Sequence, residues 1–398
     1  MPDFLQEARQ LFPYTQSLRR DFHMHPELGF REIRTGGIVA KELEALGIEV
    51  TKGVGKTGVV GLLEGSNPGA TLLLRFDMDA LPILEETGAE YSSLNAGVMH
   101  ACGHDGHTAI GLTVAKILNS HRNELSGTVK FCFQPSEEGT NGEETGGAEM
   151  MMQDGLLESP GVDMALALHL WNEQPLGWLG IAGGPMMAGA ELFDIKITGK
   201  GGHGAIPDGT IDPIVASAHL VNALQTIVSR NVSPLDTVVI SVTMLHSGTA
   251  FNVIPPEATL GGTIRTFDVN VRQKVLRRFE QIVRSTAEAL GCQAEIMIKR
   301  ITPALVNDLS ISEKVQATAR QLLPEADLRT ANYLTMGAED AAFLLEKVKG
   351  CFFFVGSANK ERHLDYGHHH PKFDFDEEAL IRGTALMAAA AMDLLNAT

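Results

Sequence analysis

Cysteine is scarce and scattered in this chain: four residues, at 102, 132, 292 and 351, among 398. They are too few and too far apart for a disulfide frame. They read instead as reduced thiols, which points to a cytoplasmic protein. No apolar run reaches the length of a membrane span. The opening MPDFLQEARQLF carries acids early and has no apolar core, so no secretory signal is expected. Runs of Lys and Arg are missing too. With 32 basic against 49 acidic residues the formal charge is −17, which argues against nucleic acid or an anionic membrane as a partner. Internal repeats and low-complexity segments are absent. The 44% hydrophobic and 20% charged content is that of an ordinary globular protein, and the length suits two domains better than one.

The richest stretch is VMHACGHDGHT, residues 98–108, which sets Cys102, His104, Asp105 and His107 within six positions. Thiolate, imidazole and carboxylate are the side chains that bind borderline divalent metals. Gly103 and Gly106 allow the sharp turns that would let near neighbours converge. Alone the stretch also fits a buried turn with a structural cysteine.

Around it the chain reads as helices and short apolar strands. Residues 4–22 form an amphipathic helix, followed by a loop with His23 and His25, which are expected as surface or capping groups. A second helix lies near 31–47. GVVGLLE (58–64) and TLLLRF (71–76) are neighbouring strands, and the second runs into Asp77 and Asp79. Two apart on an extended chain, these acids point the same way, at the strand end where open α/β sheets place their sites. A helix cap or turn is the plainer role for them. TAIGLTVAKILNS is the next helix. GTVKFCFQP is a core strand leading directly to Glu137 and Glu138. Adjacent like charges repel unless a cation lies between them, and a solvated acidic loop is the alternative, the one accepted for Glu143 and Glu144. VDMALALHLW is a further apolar run ending at His169. A satisfied polar cap is the commoner role for such a histidine, but this is the third strand in the region to end in a potential ligand or base, and the repetition outweighs it.

From about 187 the pattern changes. The order strand, helix, strand, strand, helix, strand over 187–300 is the ferredoxin-like split βαββαβ motif. It reads as an inserted domain, with 1–186 and 301–398 forming the other. Helices near 310–322 and 338–347 and a strand at 351–356 follow. The run His368, His369, His370 precedes Pro371 and a final helix capped by Asp376. It is an internal loop able to supply one imidazole to a site.

The candidate ligands are therefore Cys102, His104, Glu138, His169 and one of the last histidines. Five exceed what one structural zinc takes and suit two ions sharing a water, as in two-metal hydrolases. Such a water loses its proton near neutral pH and becomes the nucleophile. A second carboxylate must take that proton and return it to the leaving nitrogen, and Glu137, next to the proposed ligand, fits. Asp79 can hold a ligand histidine by its other ring nitrogen.

FDMDALP, MHACGHDGHT, FQPSEEG, ALHL, GKGGHGAIPD, GTAFNVIP, GTIRTF and HHPKFDFDE occur in this order. Together they resemble the amidohydrolase branch of the aminoacylase and metallocarboxypeptidase family. That branch includes hippurate hydrolases, indole-acetyl-amino-acid hydrolases and N-acetyldiaminopimelate deacetylases. The resemblance spans nearly the whole chain. It implies an α/β catalytic domain, a mixed sheet sandwiched by helices, carrying a dinuclear metal site with an inserted lid domain. It implies ligands at Cys102, His104, Glu138, His169 and His369, with Glu137 as base and Asp79 in support. Cys102 matches the branch's habit of using cysteine where others carry a bridging aspartate. In the lid, His203 resembles a histidine that steadies the oxyanion, often across a dimer interface. Asn252 and Arg265 resemble groups holding the substrate carboxylate, a task suited to a planar guanidinium. The implied activity is hydrolysis of N-acyl amino acids, with a carboxypeptidase or dipeptidase acting on short peptides as the alternative. Zinc suits the cysteine and histidines, and manganese, nickel or cobalt also fit. A homodimer or homotetramer through the lid is expected.

Overall fold

The structure, a computed structural model, describes residues 2–140, 142–331 and 333–397. In chain order it begins with helices α1 (Phe4–Met24) and α2 (Ile33–Ala45) and strands β1 (Glu49–Val54), β2 (Gly58–Glu64) and β3 (Asn67–Asp77). Helix α3 (His104–Ser120), β4 (Ser126–Gln134), α4 (Gly147–Gln153), β5 (Met164–Pro175) and β6 (Trp178–Gly180) follow. Next come β7 (Gly189–Thr198), β8 (Gly202–His203), α5 (Pro213–Thr226), β9 (Val238–Ser247), β10 (Val253–Ile254), β11 (Glu257–Thr266), α6 (Val269–Ala289) and β12 (Gln293–Thr302). The chain closes with α7 (Leu309–Leu322), β13 (Asp327–Arg329), α8 (Ala341–Leu345), β14 (Lys349–Ala358) and α9 (Glu378–Asn396). It divides into two compact units. One is Met1–Gly184, Val306–Tyr333 and Asp340–Thr398; the other is Pro185–Leu305 with Leu334–Glu339.

The first unit is built on a mixed sheet in the order β1-β2-β4-β3-β5-β14-β6-β13. Its four central strands run parallel. Strands covered on both faces read as continuous apolar runs rather than alternating ones, hence LLLRF, VKFCFQ and CFFFVG. Side chains alternate across the sheet. Leu72, Leu74, Phe131, Phe133, Leu166 and Leu168 join the cluster formed with α1, α3 and α9. Leu73, Cys132 and Ala165 face the other way, against Met151 of α4 and Leu344 of α8. Helix α9 is buried along most of its length, as its apolar sequence requires. Its N-cap is Glu377 rather than the expected Asp376, although Asp376 Oδ1 accepts the Glu378 N–H at 3.1 Å.

The second unit has an antiparallel sheet in the order β9-β11-β7-β12. Counted along the βαββαβ chain this is second, third, first, fourth, the split arrangement. Phe193, Ile195, Leu260 and Ile264 of the sheet pack with Leu220 of α5 and Phe279 of α6. Strands β8 and β10 form a separate ribbon that sets His203 opposite Val253. Segment 334–339 joins this unit through the Ala188 N–H, which donates to the Thr335 carbonyl at 3.2 Å. That return is not legible in the local sequence pattern.

Candidate metal centre

The cysteine stretch is a helix start rather than a loop. Gly103 caps α3 with φ of +96°, a left-handed conformation that costs glycine little, and His104 is the first helical residue. Gly106, expected to turn the chain, lies inside the helix. His104 and His107 are thus one turn apart on α3; His104 meets Asp79 just beyond β3, and His107 lies between Asp77 at the end of β3 and Leu170 within β5.

His104 points its Nδ1 at Asp79, 3.0 Å from the carbonyl oxygen and 3.2 Å from Oδ1. Nδ1 therefore carries a proton, and Nε2 is the nitrogen turned away from Asp79, able to bind metal once it gives up any proton of its own. Asp79 also accepts the Glu138 N–H on its other oxygen, at 3.0 Å, so one carboxylate orients two proposed ligands. In His169 too Nδ1 carries a proton, donating to the Leu170 carbonyl at 2.6 Å while Nε2 lies 3.4 Å from Cys102 Sγ. His169 sits inside β5, which runs on to Pro175, and not at the strand end as its sequence suggests. The pairing of β5 with β3 stops at Ala167, two residues earlier.

His107 and His368 are excluded as ligands by their bonds. His107 Nε2 accepts the Leu170 N–H at 2.9 Å and Nδ1 donates to Asp77 Oδ1 at 2.6 Å. His368 Nε2 accepts the Asn172 N–H at 3.2 Å, with Nδ1 turned toward Cys102 Sγ at 3.8 Å. His370 stacks on Tyr366 and accepts the Lys372 N–H. His369 remains, at φ of +64°, with its Nε2 3.3 Å from Glu138 Oε1. A non-glycine residue held in that region is a recurrent feature of functional sites. His23 also lies outside the cluster, bonded to Asp105 and Glu85.

Two ligand groups result. Cys102, His104 and His169 bring their ligand atoms within 4.8 Å of one another, and so do Cys102, Glu138 and His369. Cys102 belongs to both. Glu137 completes a further group with His104 and Glu138, its Oε2 3.9 Å from His104 Nε2. His104 Nε2 is buried with no hydrogen-bond partner among the described residues, and the buried Glu138 Oε1 has His369 Nε2 3.3 Å away. Leaving an atom such as His104 Nε2 unbonded costs about 1–3 kcal/mol, a cost that a bound cation removes. Donor types, spacing and the unbonded His104 Nε2 all fit divalent metal.

The neighbouring charges favour the protonated forms of Cys102 and His104, protons that a bound metal would displace. Burial and the nearby Glu138 and Glu137 push the Cys102 thiol well above its ordinary range. Burial alone would lower His104, but Asp77 and Asp79 raise it to about 10. Burial, with His107 and His368 beside it, drives His169 well down. Beneath the cluster, Asp77 would be raised by burial, yet His104, His107 and Arg75 hold it well below the carboxylate range. Arg75 itself is buried and donates to Asp77, Gln134 and Asp340. Sequence reading gave no role to Arg75 and offered His107 and His368 only as members of possible ligand runs. Arg75 left a signal, a charge inside the apolar run LLLRF; for the two histidines only the tertiary partners distinguish them.

The remaining candidates lie in the second unit. His203 is exposed, with Nδ1 accepting the Ala205 N–H at 3.1 Å. The Asn252 carbonyl accepts the Gly204 N–H at 2.8 Å, so these two residues share one ribbon. Arg265 is half-buried on β11.

Thiol, imidazoles and carboxylates gathered beside the central strands of a mixed α/β sheet define a metal-dependent hydrolase of amide or peptide bonds. Residues 73–393 match Peptidase family M20/M25/M40, and the chain belongs to that family. YhaA of Bacillus subtilis is 42% identical, covering 94% of this chain and 93% of its own. Thermostable carboxypeptidase 1 of Saccharolobus solfataricus is 38% identical over 98% of both chains. N-acetylcysteine deacetylase of Bacillus subtilis is 38% identical over 95% of this chain and 96% of that one. Among solved structures, Bacillus subtilis YXEP, described as a dinuclear metal binding peptidase of the M20 family, superposes with a TM-score of 0.85. It is 34% identical, covering 98% of this chain and 100% of that one.

Proposed function

We propose that the protein hydrolyses the amide bond of N-acyl amino acids, releasing a carboxylic acid and a free amino acid. The observation that carries this is the pair of ligand groups meeting at Cys102 with Glu137 beside them. In this reading Cys102, His104, Glu138, His169 and His369 hold two divalent ions, with zinc best suited to the donor set and manganese, nickel or cobalt also accommodated. When bound, the ions supply the Lewis acidity that polarises the scissile carbonyl and acidifies water. Glu137 accepts the proton of the attacking water and delivers it to the leaving nitrogen. Asp79 fixes the ring of His104 and the backbone of Glu138. His203 donates to the developing oxyanion, and Asn252 and Arg265 bind the free carboxylate. These three assignments rest on the likeness of their motifs to the family's.

A second reading, cleavage of short peptides from the carboxyl end, uses the same groups and is favoured by the likeness to the carboxypeptidase. The deciding experiment is a kinetic survey of the metal-loaded protein on N-acetyl amino acids, N-benzoyl amino acids and dipeptides. Higher kcat/KM on the acylated amino acids supports the first reading, and a dipeptide preference replaces it with the second. E137Q should lose about 10²–10⁴-fold in kcat while keeping its metal; unchanged turnover would remove Glu137 as the base. We assign self-association, as a dimer or tetramer, to the second unit, where β9 is an edge strand exposing Met244 and Leu245. Monomers alone in sedimentation would remove that assignment. The four free thiols suit a reducing, cytoplasmic setting.

A further inference from the structure

The loop carrying Glu137 is anchored from behind by two buried carboxylates, and only one of them, Asp79, belongs to the arrangement described so far. After β4 the chain turns through Ser136, whose φ of +49° lies in the left-handed region. A serine there costs energy, of order 1–3 kcal/mol, unless its surroundings hold it. The Ser136 hydroxyl donates to the Gly139 carbonyl at 2.6 Å, and the Ser136 carbonyl accepts the Gly147 N–H at 3.0 Å. The Ser136 N–H donates to Glu32 Oε1 at 2.9 Å. Two residues on, the Glu138 N–H donates to Asp79 Oδ2. The backbone N–H groups immediately before and after Glu137 are therefore both tied to buried acids.

Glu32 is completely buried at the start of α2. Its second oxygen accepts the Thr57 hydroxyl at 2.6 Å, in the turn between β1 and β2. Burying a carboxylate without a cation is costly. Here burial, and then the neighbouring Asp79, push Glu32 up to about 7, against the opposing bond from Thr57. A leucine would serve the core better, so the acid answers a need of the loop rather than of packing.

We propose that Glu32 is a positioning residue for the hydrolysis: by spanning Thr57 and the Ser136 N–H it fixes the Ser136 turn and so sets Glu137 against His104. This rests on Glu137 being the base. Misplacing a reacting group by about 1 Å can cost roughly 10²-fold in rate, so a strained turn leading into the base needs such a brace.

Reach and charge are separated by two substitutions, assayed as kcat per metal-loaded site. E32D keeps the charge but is one methylene too short to hold both partners. E32Q keeps the reach, with its amide oxygen toward Ser136 and its NH₂ toward the Thr57 hydroxyl. E32D should lose about 30-fold in kcat, with KM within about twofold and metal content unchanged. E32Q should recover at least about tenfold of that loss. E32D turning over like the parent overturns the proposal, as does E32Q falling as far as E32D. If E32D does not fold, T57V carries the test. It removes the hydroxyl that anchors the second oxygen and should lower kcat about fivefold, the loss of one hydrogen bond; unchanged kcat there overturns the proposal. E137Q, assayed in parallel, keeps the two readings apart. If it works at the parent rate the base assignment has failed, and if it is inactive the Glu32 variants report on positioning alone.

Discussion

At Cys102 the two proposed ligand groups meet, so in that reading it serves both ions. Replacing it should damage both metal positions, whereas replacing His169 or His369 should damage one. We expect elemental analysis to find C102A nearly metal-free and H169A and H369A each retaining about one of two ions at moderate metal concentration. Equal loss in all three would argue against a shared ligand. A second residue-scale expectation concerns the buried pair of His23 and Glu85, 3.3 Å apart. Burial would raise Glu85, but the bond and charge of His23 outweigh it and hold Glu85 at about 2, below its ordinary 4.5. Burial would lower His23, but Asp105 and Glu85 raise it above 6.5. The Glu85 contribution is present above about pH 4.5 and fades as the pH falls toward 2. That of His23 is complete below about 6.5 and fades as the pH rises through its raised value. Thermal melts of E85Q against the parent should therefore differ most between about pH 4.5 and 6.5, by on the order of 2 kcal/mol. A difference independent of pH would mean that the pair is held by packing alone.

Among the elements, α3 matters most, because it carries His104 and His107 and lies against β3. Gly111 sits at its closest approach to the sheet: a Cβ there would fall 2.6 Å from Phe76 Cδ2 and 2.8 Å from Phe133 Cε1. Alanine in a helix interior normally gains up to about 1 kcal/mol over glycine. Forcing a methyl group between two buried rings costs about 1–3 kcal/mol, so G111A should be destabilising on balance and lower the melting temperature. A stabilised G111A would show that the rings move aside freely. The same helix illustrates what local pattern misses. Its apolar periodicity begins at Thr108, yet its first turn is His104–His107, where polar side chains are consumed by Asp79, Asp77 and Leu170. Strand β5 likewise extends beyond its apolar run, to Pro175.

For the molecule as a whole, metal and folding should be linked. The proposed ligands come from the β3–α3 connection, the start of α3, the loop after β4, strand β5 and the loop before α9, so any ion they hold stabilises the folded chain alone. Stripping with a chelator should abolish turnover and lower the melting temperature. The stability lost is about 2.7 kcal/mol for each ion present at a hundred times its dissociation constant. Restoring zinc or manganese should recover both, and an unchanged melt after complete stripping would deny the ions any structural part. None of the described helices is long and apolar enough to cross a membrane.

Donor chemistry, the apolar strands of the parallel core, the βαββαβ order and the motifs that mark the family were readable from the amino-acid order alone. Each is a property of a few consecutive residues, or of their succession. The tertiary structure alone decided which ring nitrogen of His104 and of His169 is turned to the cluster and which of His368, His369 and His370 adjoins Glu138. It also decided that Arg75 and His107 both bond Asp77 beneath the cluster and that Glu32 accepts the Ser136 N–H. Those roles depend on partners distant in the chain, and a side chain's tautomer, charge and orientation are set by what packs against it rather than by its neighbours in sequence.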